Sequence, residues 1–211
     1  MIFCQDLIER HPQLWHDATH HPFLDACQSG TIGLAQFDTW LVQDYQFVVE
    51  FTRFLANVLT GAPVEHFDVL LGGLVAIKDE LNWFREKARE RGLTLQTDKH
   101  PTGEAYTQYL ASWEVKPYPV RATALWAIEL AYNQGWQLPG KMAAPYDEFA
   151  DRWGNPEFTE YVKHLERQAD ESLQAASEPV QQQAEAVFRE VARLEREFWQ
   201  MAFASPSENF A

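Results

Sequence analysis

The sequence predicts an all-α protein, because apolar side chains recur at helical spacing along most of its 211 residues. No segment alternates apolar and polar residues over the length of a strand, and no Asn-Gly hairpin turn is present. No internal repeat divides the chain. Several long helices joined by short loops should pack together as a compact helical bundle.

Proline and glycine mark the predicted helix ends in the first half of the chain. After a short N-terminal helix, Pro12 and the His-Pro-Phe segment 21–23 open two further short helices, and Gly30 ends the second of them. The Gly-Ala-Pro segment 61–63 stops a long amphipathic helix, and Gly92 closes the next one. The predicted helices with both ends defined in this half cover 2–9, 34–59 and 64–91.

The second half is divided in the same way. The Lys-Pro-Tyr-Pro segment 116–119 separates an aromatic helix from the central helix of the chain. A loop with Pro139-Gly140 and Pro145 follows, and Asn155-Pro156 and Ser177-Glu178-Pro179 open the last two helices. The predicted helices of this half cover 104–114, 120–136, 146–153, 155–176 and 179–204.

The composition is that of a single domain with one large core. Hydrophobic residues make up 46% of the chain, so we assign residues 1–211 to one domain. Aromatic residues make up 14% of the chain and include eight Trp. This supply of rings suits a ring-lined cavity or extensive subunit contacts.

Charge and cysteine content restrict the partners and the compartment. The formal net charge of -14 argues against nucleic acid, because phosphate binding needs clustered Lys and Arg and no basic stripe is present. No apolar run approaches the ~20 residues of a membrane-spanning helix, and the N-terminus lacks a signal-peptide pattern. Cys4 falls in an N-terminal turn that we expect to be exposed, so we expect no disulfide with Cys27. We predict a cytoplasmic protein without a membrane or nucleic-acid partner.

The central helix carries a carboxylate in the middle of an aromatic face. In the segment ALWAIELAYNQGW at 124–136, Glu129 shares one helical face with three large rings. The helix over 34–59 repeats this arrangement around Asp44, and the last helix repeats it around Glu195. A buried charge costs several kcal/mol unless it is paired or has a task, so we predict that these acids converge on one pocket. Taken singly, each acid could instead be a buried carboxylate that is hydrogen-bonded to a neighbouring helix.

Carboxylates beside aromatic rings suit a flat, nitrogen-bearing heterocycle. Rings stack on the faces of such a base, and an acid accepts a hydrogen bond from its exocyclic amine or shares a proton with a ring nitrogen. Apolar surroundings raise a carboxyl pKa, so one acid can protonate a leaving group while another acts as base. No phosphate-binding Gly-rich loop, Gly-x-Ser-x-Gly elbow or Cys-x-x-Cys is present. The candidate ring-clamping residues, which could equally be core residues, are Phe47, Tyr106, Tyr132, Trp153 and Phe198.

Six segments, in order and at characteristic intervals, resemble the TenA family, the thiaminase II-like proteins of thiamin salvage. They are HPF at 21–23 followed by Gly30, LVQDYQF at 41–47, PTGEAYTQYL at 101–110, WAIELAYNQGW at 126–136, RWGNPEF at 152–158 and LEREFWQMAF at 194–203. The resemblance implies a heme-oxygenase-like helical fold without heme or other cofactor. It also implies a homo-oligomer, here expected to be a homodimer or homotetramer, with a pyrimidine pocket at the centre of each subunit.

The same resemblance implies roles for the candidate residues. Asp44 matches the acid that holds the substrate amino group, and Glu195 matches the acid that contacts the pyrimidine and transfers a proton. Tyr132 matches a tyrosine near the reacting carbon. The ring-lining positions are taken by Phe47, Tyr106, Trp153 and Phe198. Phe47 and Trp153 stand where tyrosines are common, which indicates a modified pocket.

The central helix departs from the thiaminase branch of the family, because it has no cysteine to attack the pyrimidine ring. The chain instead resembles the branch with a glutamate on this helix, here Glu129. We therefore expect hydrolysis of aminomethyl- or formylaminomethyl-pyrimidine breakdown products of thiamin rather than cleavage of thiamin itself. In this mechanism Glu195 protonates the departing amine, Glu129 orients or deprotonates water, and Asp44 anchors the ring.

Two other functions remain open from the sequence. A metal-dependent, di-iron oxidase on the same scaffold would need acids and histidines at ligand spacing, and Glu160 and His164 lie four residues apart on one helix. The supply of inward-facing histidines is small, so we assign no metal ligands. A non-catalytic pyrimidine-binding or regulatory protein would use the same pocket without turnover.

Overall fold

The computed structural model describes residues 2–205, and all regular structure in this range is helical. The prediction of an all-α fold is therefore confirmed. A 3-10 turn, Val64–His66, precedes α5. The α-helices are α1 (Cys4–Arg10), α2 (Pro12–Thr19), α3 (Pro22–Ser29), α4 (Leu34–Thr60), α5 (Phe67–Glu90), α6 (Pro101–Ala111), α7 (Tyr118–Gln137), α8 (Asp147–Trp153), α9 (Pro156–Ala175) and α10 (Glu178–Phe203).

Most helix ends lie within one or two residues of the predicted ones. Pro12, Pro22 and Pro156 each occupy the first turn of a helix, where the missing N–H has no intrahelical partner to lose. Gly30 follows α3 with a φ of 71°, a left-handed conformation that favours glycine. The start of α6 was predicted three residues too late, because His100 caps the helix by accepting a hydrogen bond from Thr102 N–H at 3.2 Å.

The chain folds into two compact units, which are described separately. The first unit contains residues 2–32 and 116–200, and the second contains residues 33–115 and 201–205. The assignment of 1–211 to one domain stays a prediction. No helix within residues 2–205 combines the length and apolar character that crossing a bilayer requires.

The first unit is built around α7, which is buried on every side over residues 120–129. A helix that is enclosed all round forms the centre of a core rather than one wall of it. The helix α9 packs against α7. On another side, Trp15 of α2 stacks on Trp126 with ring centroids 6.3 Å apart, and Phe188 of α10 stacks on Trp126 at 5.9 Å.

The second unit pairs α4 with α5 around an aromatic core. The loop over 95–100 is fastened to one face of α4 by two buried amides. Gln43 Oε1 accepts from His100 N–H at 2.7 Å, and Gln43 Nε2 donates to Asp98 O at 3.3 Å. One turn later, Gln46 Nε2 donates to Leu95 O at 3.1 Å and to Thr97 O at 2.9 Å. Four backbone polar groups of this loop are thereby satisfied by α4.

The expectation that Cys4 is exposed was wrong, since both Cys4 and Cys27 are fully buried free thiols. Cys4 begins α1, and its backbone N–H donates to Asp170 Oδ1 of α9 at 2.6 Å. This bond holds the start of α1 against α9. Burial, followed by the nearby carboxylates of Asp170 and Glu166, raises the pKa of the Cys4 thiol well above its usual value. Burial also raises the pKa of Cys27.

Candidate active site

The predicted acids are buried in both units. In the first unit, Glu129 of α7 is 9% exposed and Glu195 of α10 is 1% exposed. In the second unit, Asp44 of α4 is fully buried. This burial agrees with the expectation that all of them face inward. Their convergence on one pocket stays a prediction.

Glu129 and Glu195 belong to the same stretch of the first unit. Trp126 of α7 stacks on Phe188 of α10 at 5.9 Å, and further along both helices Tyr132 stacks on Trp199 at 5.4 Å. The two helices therefore run in the same direction along this seam. Glu129 lies between the two stacked residues of α7, and Glu195 lies between those of α10. Both acids are thus placed on a segment that is closed at each end by stacked rings.

Tyr132 and Trp153 line the end of this segment, and Phe198 is a buried neighbour of Trp199 in the sequence of α10. The Tyr132 ring meets the Trp153 ring edge-on at 5.7 Å, and Trp153 also stacks on Trp136 at 5.6 Å. Phe198 is 2% exposed and precedes Trp199, whose ring stacks on Tyr132. The structure therefore brings Tyr132 and Trp153 into direct contact, as a ring wall in the core of the first unit.

In the second unit, Phe47 and Tyr106 are brought together. Phe47 lies one turn after Asp44 on α4, and its ring is 4.7 Å from the Tyr106 ring of α6. Tyr106 is 1% exposed. Because His100 both starts α6 and bonds to Gln43, the amide fastening of the 95–100 loop also sets where α6 carries Tyr106 relative to α4.

Buried amides are the functional candidates that the sequence reasoning missed. Asn133 is 2% exposed and follows Tyr132 on α7, and its Nδ2 donates to Trp153 O at 2.7 Å. Gln43 and Gln46 flank Asp44 and Phe47 on α4. The available signal was their position: each is an uncharged polar side chain immediately beside a predicted site residue.

A family model of the TENA/THI-4/PQQC family matches residues 8–205. The chain belongs to this family. It is 35% identical over 210 residues to a Glycine max protein called "Probable bifunctional TENA-E protein", with 92% of this chain and 90% of that protein covered. It is 25% identical over 224 residues to the "Aminopyrimidine aminohydrolase" of Halalkalibacterium halodurans, with 100% and 99% covered.

The fold is also that of the TENA/THI-4/PQQC family. A solved TenA homologue from Pyrococcus furiosus superposes with a TM-score of 0.92 and 32% sequence identity. The alignment covers 96% of this chain and 100% of that one. The resemblance inferred from the sequence segments is confirmed, and it extends over nearly the whole chain.

Glu160 and His164, the two residues at metal-ligand spacing, are exposed and contact other side chains of α9. Glu160 lies on the exposed side of α9, where its Oε1 accepts from Lys163 Nζ at 2.7 Å. His164 is exposed, and its Nδ1 lies 2.6 Å from a guanidinium nitrogen of Arg167. Within residues 2–205, no group of three or more His, Cys, Asp or Glu side chains is arranged to hold a metal ion.

Proposed function

We propose that this protein is a hydrolase of thiamin salvage that cleaves a C–N bond in aminomethyl- or formylaminomethyl-pyrimidine breakdown products of thiamin. The products are hydroxymethylpyrimidine or aminopyrimidine. The observation that carries the proposal is the pair of buried glutamates, Glu129 and Glu195, on the ring-closed segment of α7 and α10. Support comes from the full-length similarity to a protein called aminopyrimidine aminohydrolase.

The proposed reaction on an aminomethylpyrimidine consumes one water and releases one ammonia. Glu129 orients the water or takes its proton as the water oxygen bonds to the exocyclic carbon. The C–N bond breaks as Glu195 gives a proton to the departing amine. Asp44 accepts a hydrogen bond from the ring amino group, and the aromatic side chains stack on the pyrimidine. With the formylated substrate, the amide C–N bond breaks and formate leaves.

Cleavage of thiamin itself is not part of the proposal. That reaction would need a nucleophilic thiolate on α7, and α7 has no cysteine. Cys27 lies on α3, and burial raises its pKa, which keeps it in the unreactive thiol form. We further propose that the working enzyme is a cytoplasmic homodimer or homotetramer.

Replacing Glu129 tests the proposal. We expect Glu129→Gln to lower kcat by about 10²- to 10⁴-fold, the usual contribution of a general acid or base, because the amide cannot accept the proton of water. Binding of the pyrimidine should change only a few-fold. The measurements are ammonia or formate release from each candidate pyrimidine, and ligand titration monitored by tryptophan fluorescence.

Glu157→Gln is the matched control, because Glu157 is exposed in the first turn of α9. It should leave kcat and binding unchanged. An unchanged rate in Glu129→Gln would remove Glu129 from the chemistry. Tight pyrimidine binding by the wild-type protein without release of ammonia or formate would instead indicate a non-catalytic binding protein.

A further inference from the structure

We infer that Asn133 is a positioning residue, which holds Trp153 against Tyr132 and so fixes the ring wall beside Glu129. The effect on catalysis that we infer rests on the proposed function. The contacts with Asn133 and Tyr132 that hold Trp153 in place lie within the first unit. Asn133 needs no contact with substrate for this role.

The Asn133 amide is engaged at both ends. Its Nδ2 donates to Trp153 O at 2.7 Å, and its Oδ1 lies 3.2 Å from Thr159 Oγ1, whose one hydrogen is shared with Asn155 O at 3.1 Å. A backbone carbonyl only accepts hydrogen bonds, so the NH₂ group must face Trp153. With 2% exposure, Asn133 has almost no access to water that could replace either bond.

The carbonyl of Trp153 needs a donor from outside its own helix. Trp153 is the last residue of α8, and the final carbonyls of a helix have no intrahelical partner. The connection to α9 passes directly over α7, since a Cβ on Gly154 would lie 3.2 Å from Trp136 O and 3.3 Å from Gln137 Cα. The backbone that carries the Trp153 side chain is therefore located by α7, through Asn133.

Asn133, which anchors Trp153, is adjacent in sequence to Tyr132, which supplies one ring of the wall. Tyr132 precedes Asn133 on α7, and its ring meets Trp153 at 5.7 Å. A change in the hydrogen bond from Asn133 to Trp153 O would thus alter the spacing of the two rings. Misplacement of a reacting partner by about 1 Å can cost about 10²-fold in rate, so the position of this wall should affect catalysis.

The variant Asn133→Asp tests this role, because it keeps the shape and exchanges the donor for a titratable group. At pH 8 the carboxylate faces the Trp153 carbonyl oxygen and repels it. At pH 5.5 a protonated carboxyl can donate to the same oxygen. We expect kcat/KM for aminomethylpyrimidine to fall by about 10- to 100-fold relative to wild type at pH 8, and at least about 5-fold of this loss to be recovered at pH 5.5.

Two further variants separate positioning from general damage. Asn133→Ala should lose activity without recovery at low pH, because it offers no donor at any pH. Gln137→Glu is the matched amide-to-acid control: Gln137 lies one turn later on α7, is exposed, and donates to the adjacent Gly154 O at 3.3 Å. The side chain at position 137 can turn to water, so kcat/KM of Gln137→Glu should stay within about 2-fold of wild type at both pH values.

Hydrogen exchange of the peptide that spans 150–158 tests the anchor without any substrate. We expect faster exchange in Asn133→Asp at pH 8 than in wild type, after correction for the intrinsic pH dependence, and wild-type exchange at pH 5.5. Wild-type exchange of this peptide in Asn133→Ala, which offers no donor at any pH, would overturn the positioning role, whether or not the protein turns over a pyrimidine. Altered exchange in that variant with no turnover by wild type would overturn the proposed function alone.

Discussion

His21 joins two helices of the first unit through both of its ring nitrogens. Its Nδ1 accepts from Phe23 N–H at 3.1 Å, which caps α3, and its Nε2 lies 3.3 Å from Gln200 Oε1. Because one partner only donates and the other only accepts, the ring is neutral with its proton on Nε2. Burial lowers the pKa of His21 and the Arg196 guanidinium lowers it further, against the opposing effects of Gln200 and Asp25.

This lowered pKa predicts a loss of stability in mild acid. The unfolded His21 takes up a proton near its ordinary pKa of about 6.5, whereas the folded one does so only at lower pH. The free energy of unfolding should therefore fall as pH drops below about 6.5. His21→Asn keeps a capping acceptor without a titrating ring, so it should reduce this fall. Urea denaturation at pH 7 and pH 5 measures this change in the free energy of unfolding.

His16→Asn is the control for that comparison, because His16 is exposed on α2. It should show the same difference between pH 7 and pH 5 as the wild-type protein. If His21→Asn also retained the full difference, the acid sensitivity would come from other groups.

At the residue scale, the sequence identified buried charged side chains better than buried neutral ones. A carboxylate such as Glu129 is conspicuous on an aromatic helix face, because burying a charge is costly. Asn133 gave no comparable signal, since an amide costs much less to bury once it is hydrogen-bonded. His21 gave no signal in the sequence either, although it is 5% exposed and takes the N-cap position of α3, where Ser, Thr, Asp or Asn is usual.

At the scale of elements, the 95–100 loop depends on α4 for its backbone hydrogen bonds. We expect Gln43→Ala to lower the free energy of unfolding by about 1–3 kcal/mol, because it leaves His100 N–H and Asp98 O without their shared partner. It should also loosen the start of α6, with faster hydrogen exchange there. Chemical denaturation and hydrogen exchange measure these effects.

Gln96→Ala is the matched control on the loop itself. Gln96 is exposed, and a surface amide replaced by alanine should change stability by less than about 0.5 kcal/mol. Equal stability of Gln43→Ala and wild type would show that water replaces the Gln43 amide and that α4 does not hold the loop.

The helices themselves could be predicted because proline and glycine mark their ends. Pro156 and Gly30 act through fixed or permitted backbone angles, which do not depend on tertiary contacts. The start of α6 could not be predicted in this way, since His100 serves as its cap and is itself held by Gln43 of α4. Where an element end is set by a partner distant in sequence, local pattern is insufficient.

For the whole molecule, the formal net charge of -14 has a consequence for stability. Like charges repel more strongly in the compact state than in the expanded one. We expect the urea midpoint to rise when NaCl increases from about 10 mM to about 150 mM, because the screening length falls from about 30 Å to about 8 Å. An unchanged or lower midpoint would mean that local ion pairs, which salt weakens, outweigh the net repulsion.

Family membership followed from the order and spacing of several short segments, although each was weak alone. The prediction of a helical fold required only periodicity, because helical contacts are local. The arrangement of Asp44 relative to Glu129 and Glu195 depends on how separate helices meet, which periodicity does not encode. That part of the site remains a prediction.

The burial of both native cysteines makes the protein a convenient host for chemical probes. Cys4 and Cys27 have no exposed surface, so maleimide reagents have no native sulfhydryl to modify while the chain is folded. Val115→Cys would place a single reactive site on a side chain that is 90% exposed. A fluorophore or spin label could then be attached there without first removing the native cysteines.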